Sequence, residues 1–209
     1  GAACNIDCTY CFFLSKEALY PNDRSRMSQA TLETYIFQLL ESQPGAEVVV
    51  AWQGGEPTLL GLDYFRKVVA LQRKHCPPGK KIDNAFQTNG TLLDDDWARF
   101  LKQHRFLVGL SIDGPREIHD HCRITKHAEP TFDQVFAAAK MLQKHGVRFN
   151  TLTCVHRYNA SRPLDVYRFL RREIGSTYIQ FIPIVEIRGF ENMAPGTWDE
   201  AKLPMLGDP

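Results

Sequence analysis

Three cysteines lie close together near the start of the chain, at Cys4, Cys8 and Cys11. Their C-x3-C-x2-C spacing leaves loops short enough to curl around one soft-metal centre, for which thiolates are the preferred ligands. A [4Fe–4S] cluster normally takes four thiolates, so three would leave one iron free to bind another molecule. A zinc site would need a fourth ligand at matching spacing, and the next histidine, His75, stands alone beside Cys76. The residues alone predict a soft-metal site, with iron–sulfur favoured over zinc and over a disulfide with a spare thiol.

Two other motifs follow stretches that are predicted to be strands. Gln53-Gly54-Gly55-Glu56-Pro57 follows the apolar run 47–53, and paired glycines there would let the backbone approach a ligand closely, although they also suit a simple tight turn. Ser111 and Asp113 end a later strand, and Arg123 follows in the same region. A hydroxyl can bond a ribose, and an arginine can pair with a carboxylate through two hydrogen bonds. For Asp113 we favour a structural role, turning the chain with Gly114-Pro115.

The remaining polar and sulfur-containing residues receive structural interpretations. We predict that His119, Asp120 and His121 form a loop that positions Arg123. Cys76 is interpreted as a helix-end residue and Cys154 as a small buried apolar one. Cys122 receives no role.

The elements that must position these motifs alternate between helix and strand. Ser28 and Asp94 are predicted N-caps, and Thr131 with Gln134 is predicted to form a capping box. The apolar run 47–53 is typical of a strand buried on both faces. Predicted strands cover 47–53, 82–87, 106–111, 147–154 and 178–184. One helix is predicted before the first strand, and one is predicted between each strand and the next.

Alternating strands and helices imply right-handed crossovers and a parallel α/β sheet. Polar residues gather at the same end of every strand, which favours a barrel over an open sheet with one switch point. We therefore predict a partial (β/α)6 barrel whose first strand is largely missing, because only Gly1-Ala2-Ala3 precede Cys4. The expected domains are a core at 1–190 and, at 191–209, the start of a linker to a cysteine-rich region.

The sequence around these motifs resembles that of a known family. The three-cysteine motif, with an aromatic before its third cysteine, resembles the radical S-adenosylmethionine (SAM) enzymes. The stretches CTYCFF, QGGEPTL, QTNGTLL and GLSIDGP resemble the SPASM-type anaerobic sulfatase-maturating enzymes, and the resemblance covers essentially all 209 residues. It implies that Cys4, Cys8 and Cys11 hold a [4Fe–4S] cluster whose open iron binds SAM. It also implies that a 5′-deoxyadenosyl radical oxidises a serine or cysteine of a target sulfatase to Cα-formylglycine.

The resemblance also implies roles for individual residues. Gln53, Gly54, Gly55 and Glu56 would lie along the methionine end of SAM. The other expected SAM contacts are Tyr10 beside the adenine, Ser111, Arg123 on the carboxylate, and the backbone of Val185. Gln87 and Asn89 would face the ribose or the peptide substrate. The general base is expected beyond Pro209, and the electron donor is expected to be a flavodoxin or ferredoxin.

Composition narrows the class of function. The net charge of +1 comes from 25 basic and 24 acidic residues, which points away from nucleic acid and anionic membranes. No apolar run is long enough to span a bilayer. Six cysteines, three of them clustered, fit a reducing compartment, so a cytoplasmic protein is expected. Two alternatives stay open: another radical SAM peptide modifier that forms a thioether or cross-link, and a non-catalytic iron–sulfur or zinc module.

Overall fold

The chain forms one sheet of five parallel strands in a computed structural model that describes residues 1–11, 13 and 26–184. The strands lie side by side in chain order, and register partners such as Trp52 with Phe86 and Ser111 with Leu152 bring their carboxyl ends to one edge. The predicted α/β partial barrel is confirmed. The strands are β1 (Glu47–Trp52), β2 (Lys81–Thr88), β3 (Leu107–Ser111), β4 (Arg148–Val155) and β5 (Ile179–Pro183).

Helices connect the strands and pack on one face of the sheet. A 3₁₀ turn, Pro57–Leu60, follows β1. None of the described helices combines the length and apolar character needed to cross a bilayer. The helices are α1 (Gln29–Ser42), α2 (Leu62–His75), α3 (Asp95–Gln103), α4 (Arg116–Cys122), α5 (Phe132–Lys144), α6 (Arg157–Ala160) and α7 (Pro163–Arg172).

Aromatic side chains fill the core between the sheet and its helices. Phe65 of α2 is fully buried, and its ring meets Trp52, Phe86 and Trp97 at centroid distances of 5.6, 5.0 and 5.6 Å. Each contact is close to edge-on, which is the geometry that ring quadrupoles favour. This packing holds β1 and β2 firmly against α2 and α3, so the loops that leave these strands start from fixed points.

Helices α1 and α3 begin at the positions that their predicted N-cap residues indicated. The Ser28 hydroxyl accepts a hydrogen bond from the Thr31 amide at 3.0 Å, and Asp94 accepts one from the Trp97 amide at 2.8 Å. Each bond satisfies an amide that the first turn of a helix leaves without an internal partner.

The capping box predicted for α5 is wrong. The Thr131 hydroxyl instead donates to the Arg123 carbonyl at 2.7 Å. Asp120 takes over the cap, because one of its carboxylate oxygens accepts from the amides of Thr131 at 2.9 Å and Phe132 at 2.8 Å.

The loop predicted around His119 is helix α4. Pro115 is its N-cap, and the Pro115 carbonyl accepts from the amides of Ile118 and His119. This seven-residue helix buries only two apolar residues, Ile118 and Cys122. Two positions are too few to give a recognisable helical periodicity in the sequence.

Strand β1 is not buried on both faces as predicted. Val48, Val50 and Trp52 are buried, whereas Val49 is 68% exposed and the pattern alternates strictly. Helices cover a barrel only from outside, so within the described residues one face of β1 meets α1 and α2 and the other has no cover.

Candidate active site

The cysteine loop lies across the carboxyl ends of the strands and is held from two sides. On one side, the amides of Gly55 and Glu56 donate to the carbonyls of Gly1 and Ala3, both at 2.8 Å. On the other side, the amide of Asp7 donates to the Ile124 carbonyl at 2.7 Å, and Ile6 forms a β-bridge with Thr125. The loop is therefore seated between the segment after β1 and the segment after α4.

The paired glycines are explained by this seating. A Cβ atom on Gly55 would lie 2.0 Å from the Ala3 carbonyl oxygen, and one on Gly54 would lie 2.6 Å from that of Gly1. Gly54 also has a φ of +147°, a backbone angle that residues other than glycine rarely adopt. The close approach predicted for a ligand is thus made by the chain's own first residues, and contact of these glycines with SAM stays a prediction.

Glu56 has its carboxylate turned into the protein. It is 4% exposed and accepts four hydrogen bonds, from the amide and hydroxyl of Thr58, the hydroxyl of Thr88 and the amide of Asn89, at 2.6–2.9 Å. Burial raises the pKa of this carboxyl, although the donors oppose the rise. Glu56 ties the end of β1 to the end of β2, so any contact with SAM would come from its backbone. Gln53, just before the glycines, is exposed.

Asn89 lies against the cysteine loop. It is 7% exposed, and its side-chain nitrogen donates to the side-chain oxygen Oδ1 of Asn5 at 3.0 Å and lies 3.7 Å from the Cys4 sulfur. Its side-chain oxygen accepts from the amide and hydroxyl of Thr91. Gln87, two residues earlier, is exposed on β2. Asn89 thus supports the cluster loop, whereas Gln87 lies on the face of the sheet that no described helix covers, and its contact with the ribose or a peptide stays a prediction.

Asp113 connects three parts of the site, which the sequence did not predict. Its carboxylate is fully buried and accepts from Arg123 Nε at 2.9 Å and Nη2 at 3.1 Å, from the Tyr10 hydroxyl, and from the Cys154 amide at 2.9 Å. Burial favours the protonated acid, yet the Arg123 charge outweighs it and holds the pKa of Asp113 below its usual range. One carboxylate thus joins the cysteine loop, α4 and β4.

Arg123 is oriented by Asp113. It is 6% exposed, and its guanidinium carbon lies 5.5 Å from the centroid of the Tyr10 ring. The Nε–Nη2 edge pairs with Asp113, while Nη1 lies 3.9 Å from the Cys8 sulfur and Nη2 3.8 Å from the Cys154 sulfur. The end of the guanidinium that is not paired with Asp113, its outer end, therefore faces the thiols. The predicted partner of Arg123, the SAM carboxylate, would have to bind at this end.

The three thiols suit a metal cluster. Burial raises the pKa of Cys8 to about 12 and also raises that of Cys4, with smaller contributions from the neighbouring thiols. Cluster iron binds the thiolate, so ligation would displace these protons, and N–H groups near the sulfurs would stabilise the charge. Within the described residues, no three metal-ligating side chains converge on a single-ion site. The donor set fits the cluster that the spacing predicted.

His156 and Cys154 complete the surroundings of Tyr10. The His156 ring stacks on Tyr10 with centroids 5.8 Å apart, and its buried Nε2 makes no hydrogen bond among the described residues. Desolvation lowers the pKa of His156, so the ring is held neutral. Cys154 is half-buried beside Arg123 rather than a purely apolar core residue. The sequence placed both residues at the carboxyl end of β4, the edge where polar residues gather, but did not indicate their contacts with Tyr10 and Arg123.

Two further predicted SAM contacts, Ser111 and Val185, stay predictions. Ser111 ends β3 and is half-buried, two residues before Asp113. Val185 lies outside the described residues.

Comparison with known proteins identifies the family. The family model described as the Radical SAM superfamily matches residues 1–170. The chain belongs to the radical SAM superfamily. This family uses a [4Fe–4S] cluster and SAM, so the predicted cofactors are those of the family.

Several relatives share a narrower name. The chain is 44% identical over 187 residues to a serine-type anaerobic sulfatase-maturating enzyme of Bacteroides thetaiotaomicron, covering 89% of this chain and 45% of the relative. It is 41% identical over 209 residues to a cysteine-type enzyme of Clostridium perfringens, covering 97% and 56%. The chain thus spans about half the length of the curated relatives it matches.

Solved structures agree on the fold. The structure of native anSMEcpe with bound AdoMet has a TM-score of 0.82 and 40% identity, covering 90% of this chain and 50% of that one. Native anSMEcpe with bound AdoMet and Cp18Cys peptide gives 0.81 at 40% identity, covering 90% and 49%. Streptococcus suis SuiB bound to precursor peptide SuiA, at 16% identity and a TM-score of 0.67, shares the fold.

Proposed function

We propose that this radical SAM protein oxidises a serine or cysteine of a sulfatase to Cα-formylglycine. The observation that supports it most is the three-cysteine loop, seated between Gly55–Glu56 and the segment that carries Arg123. The relatives with 41–44% identity are named serine-type and cysteine-type sulfatase-maturating enzymes. One of the similar structures holds AdoMet and a peptide together.

The chain's own residues have separable tasks in this proposal. Cys4, Cys8 and Cys11 hold the cluster, and the outer end of Arg123 binds the SAM carboxylate near Tyr10. When bound, the cluster and SAM would supply the radical chemistry that removes one hydrogen atom from the target Cβ; the remaining proton and electron would pass to a base and to a metal centre. Cluster reduction requires a one-electron donor of the flavodoxin or ferredoxin class, and free thiols at Cys4, Cys8 and Cys11 suit a cytoplasmic setting.

Anaerobic reconstitution tests the proposal. The full-length protein is loaded with iron and sulfide, given SAM and a reductant, and incubated with two sulfatase peptides that differ only in a serine or cysteine at the target position. Mass spectrometry should show conversion of the target residue to the aldehyde, together with 5′-deoxyadenosine. Comparing the two peptides shows which target residue is oxidised.

Two cysteine variants provide the matched comparison. Cys8→Ala removes a cluster ligand and should abolish both products. Cys76→Ala changes a half-buried cysteine at the end of α2, remote from the loop, and should retain them. Formation of 5′-deoxyadenosine without aldehyde on either peptide would refute the sulfatase substrate, and its formation by Cys8→Ala would refute the ligand set.

A further inference from the structure

Two of the cluster thiols each face a side-chain N–H donor, and the donors come from different parts of the site. Asn89, at the end of β2, places its side-chain nitrogen 3.7 Å from the Cys4 sulfur. Arg123, after α4, places Nη1 3.9 Å from the Cys8 sulfur. Both distances are within the range of hydrogen bonds to sulfur, which is a larger atom than oxygen.

A buried carboxylate lies behind each donor residue. Glu56 is 4% exposed and accepts from the backbone amide of Asn89 at 2.8 Å, while bonds to Asn5 and Thr91 hold the Asn89 side chain. Asp113 is fully buried and accepts directly from two nitrogens of the Arg123 guanidinium. The donors themselves are 7% and 6% exposed, so neither can turn to solvent without breaking these bonds. A buried carboxylate thus supports both residues whose N–H groups face a sulfur, through the side chain of Arg123 and through the backbone of Asn89.

The orientation of the Asn89 amide follows from its other bonds. Its oxygen accepts from the amide and the hydroxyl of Thr91, at 3.0 and 2.8 Å. A flipped amide would point two hydrogens at the Thr91 amide hydrogen, so the nitrogen is the atom that faces Cys4.

Hydrogen bonds to cluster sulfurs are one of the factors that set the reduction potential of an iron–sulfur centre. An N–H group stabilises the more negative, reduced form more than the oxidised one. We propose that Asn89 and Arg123 raise the reduction potential of the cluster through N–H groups directed at Cys4 and Cys8, with Glu56 and Asp113 as their positioning residues. The inference rests on the cluster of the proposed function but not on its substrate.

Asn89→Ser tests the first donor. The serine hydroxyl can still accept from the Thr91 amide but cannot reach Cys4. The reconstituted protein, without SAM or peptide, is titrated with dithionite, which supplies the single electron that the cluster takes up, and the reduced fraction is followed by electron paramagnetic resonance. At a fixed potential the ratio of reduced to oxidised cluster should fall at least threefold, which is about 28 mV at 59 mV per tenfold change for one electron.

Asn84→Ser is the matched control. Asn84 is a buried asparagine within β2, whereas Asn89 directly follows that strand, and the Asn84 side chain bonds Trp52 and Gln72, away from the cysteine loop. Its replacement costs comparable hydrogen bonds and should leave the potential unchanged. An equal shift in both variants would mean that general loosening of β2 moves the potential, and the inference would fail.

Arg123→Lys tests the second donor independently. Lysine keeps the charge beside Asp113 but lacks the fork that reaches Cys8 at the same time. The reduction potential of the cluster in Arg123→Lys should also fall, and the double variant should show the sum of the two shifts.

If Asn89→Ser does not hold iron, the Arg123→Lys titration decides. An unchanged potential with full iron content overturns the inference, as does failure of the unaltered protein to form a [4Fe–4S] centre. A shifted potential in a protein that oxidises no sulfatase peptide leaves it standing while the proposed function fails.

Discussion

Replacing Asp113 by asparagine should destabilise the protein strongly even without a cluster. Asparagine keeps the shape of the side chain but removes the charge that faces Arg123 in a buried ion pair. Removing one partner of such a pair leaves the other charge buried and uncompensated, which costs about 3–5 kcal/mol. The Tyr10 hydroxyl and the Cys154 amide also lose a charged acceptor.

Urea unfolding of the metal-free protein measures this cost. For a slope of about 2.5 kcal/mol per M, the midpoint should fall by about 1–2 M. Asp133→Asn is the matched control, because Asp133 also accepts two hydrogen bonds from one arginine, Arg116, but both side chains are exposed, at 78% and 55%. Water screens that pair, so its loss should hardly move the midpoint.

The reasoning would be refuted if Asp113→Asn and Asp133→Asn shifted the midpoint equally. A second check uses Asp113→Asn combined with Arg123→Met. Removing both charges takes away the uncompensated one, so the double variant should recover part of the stability that the single variant loses.

Three further predictions concern pH, the glycine pair and a helix cap. Burial lowers the pKa of His119 to about 3, so the folded protein keeps it neutral while the unfolded chain binds a proton below about pH 6.5. Stability should therefore fall with pH below that point by up to about 1.4 kcal/mol per unit, and urea unfolding of His119→Gln should lack this component. Gly55→Ala should reduce iron incorporation on reconstitution, since its Cβ would meet the Ala3 carbonyl, whereas Gly45→Ala, with 3.7 Å of space, should load normally. Asp94→Ala should cost about 0.5–2 kcal/mol in the same unfolding assay, through loss of the α3 cap.

The features predicted best from the sequence are those decided by neighbouring residues. The caps at Ser28 and Asp94 depend on an oxygen and an amide only three residues apart. The strands follow from apolar runs between turn residues, and their parallel order follows from the intervening helices. The cysteine spacing likewise predicts chemistry without knowledge of the fold.

The features predicted badly depend on partners far along the chain. Residues 48–52 of β1 are apolar enough for two covered faces, but the sequence does not indicate that helices lie on one side only. Asp113, followed by Gly114-Pro115, has the local pattern of a turn, while its role comes from Arg123, Tyr10 and Cys154. These contacts form only when the sheet has assembled, so the local sequence around Asp113 does not indicate them.

The way the cysteine loop is seated has a consequence for biosynthesis. Strand order equals chain order, so each strand–helix unit can join the growing sheet as it leaves the ribosome. The loop emerges before all five described strands, yet one of its two supports lies in the segment around Arg123, 115 residues beyond Cys8. The nascent chain therefore carries three accessible thiols while most of the sheet is still being made. We expect iron–sulfur insertion to be completed late, because the pocket closes around Cys4 and Cys8 only after that distant segment has been synthesised.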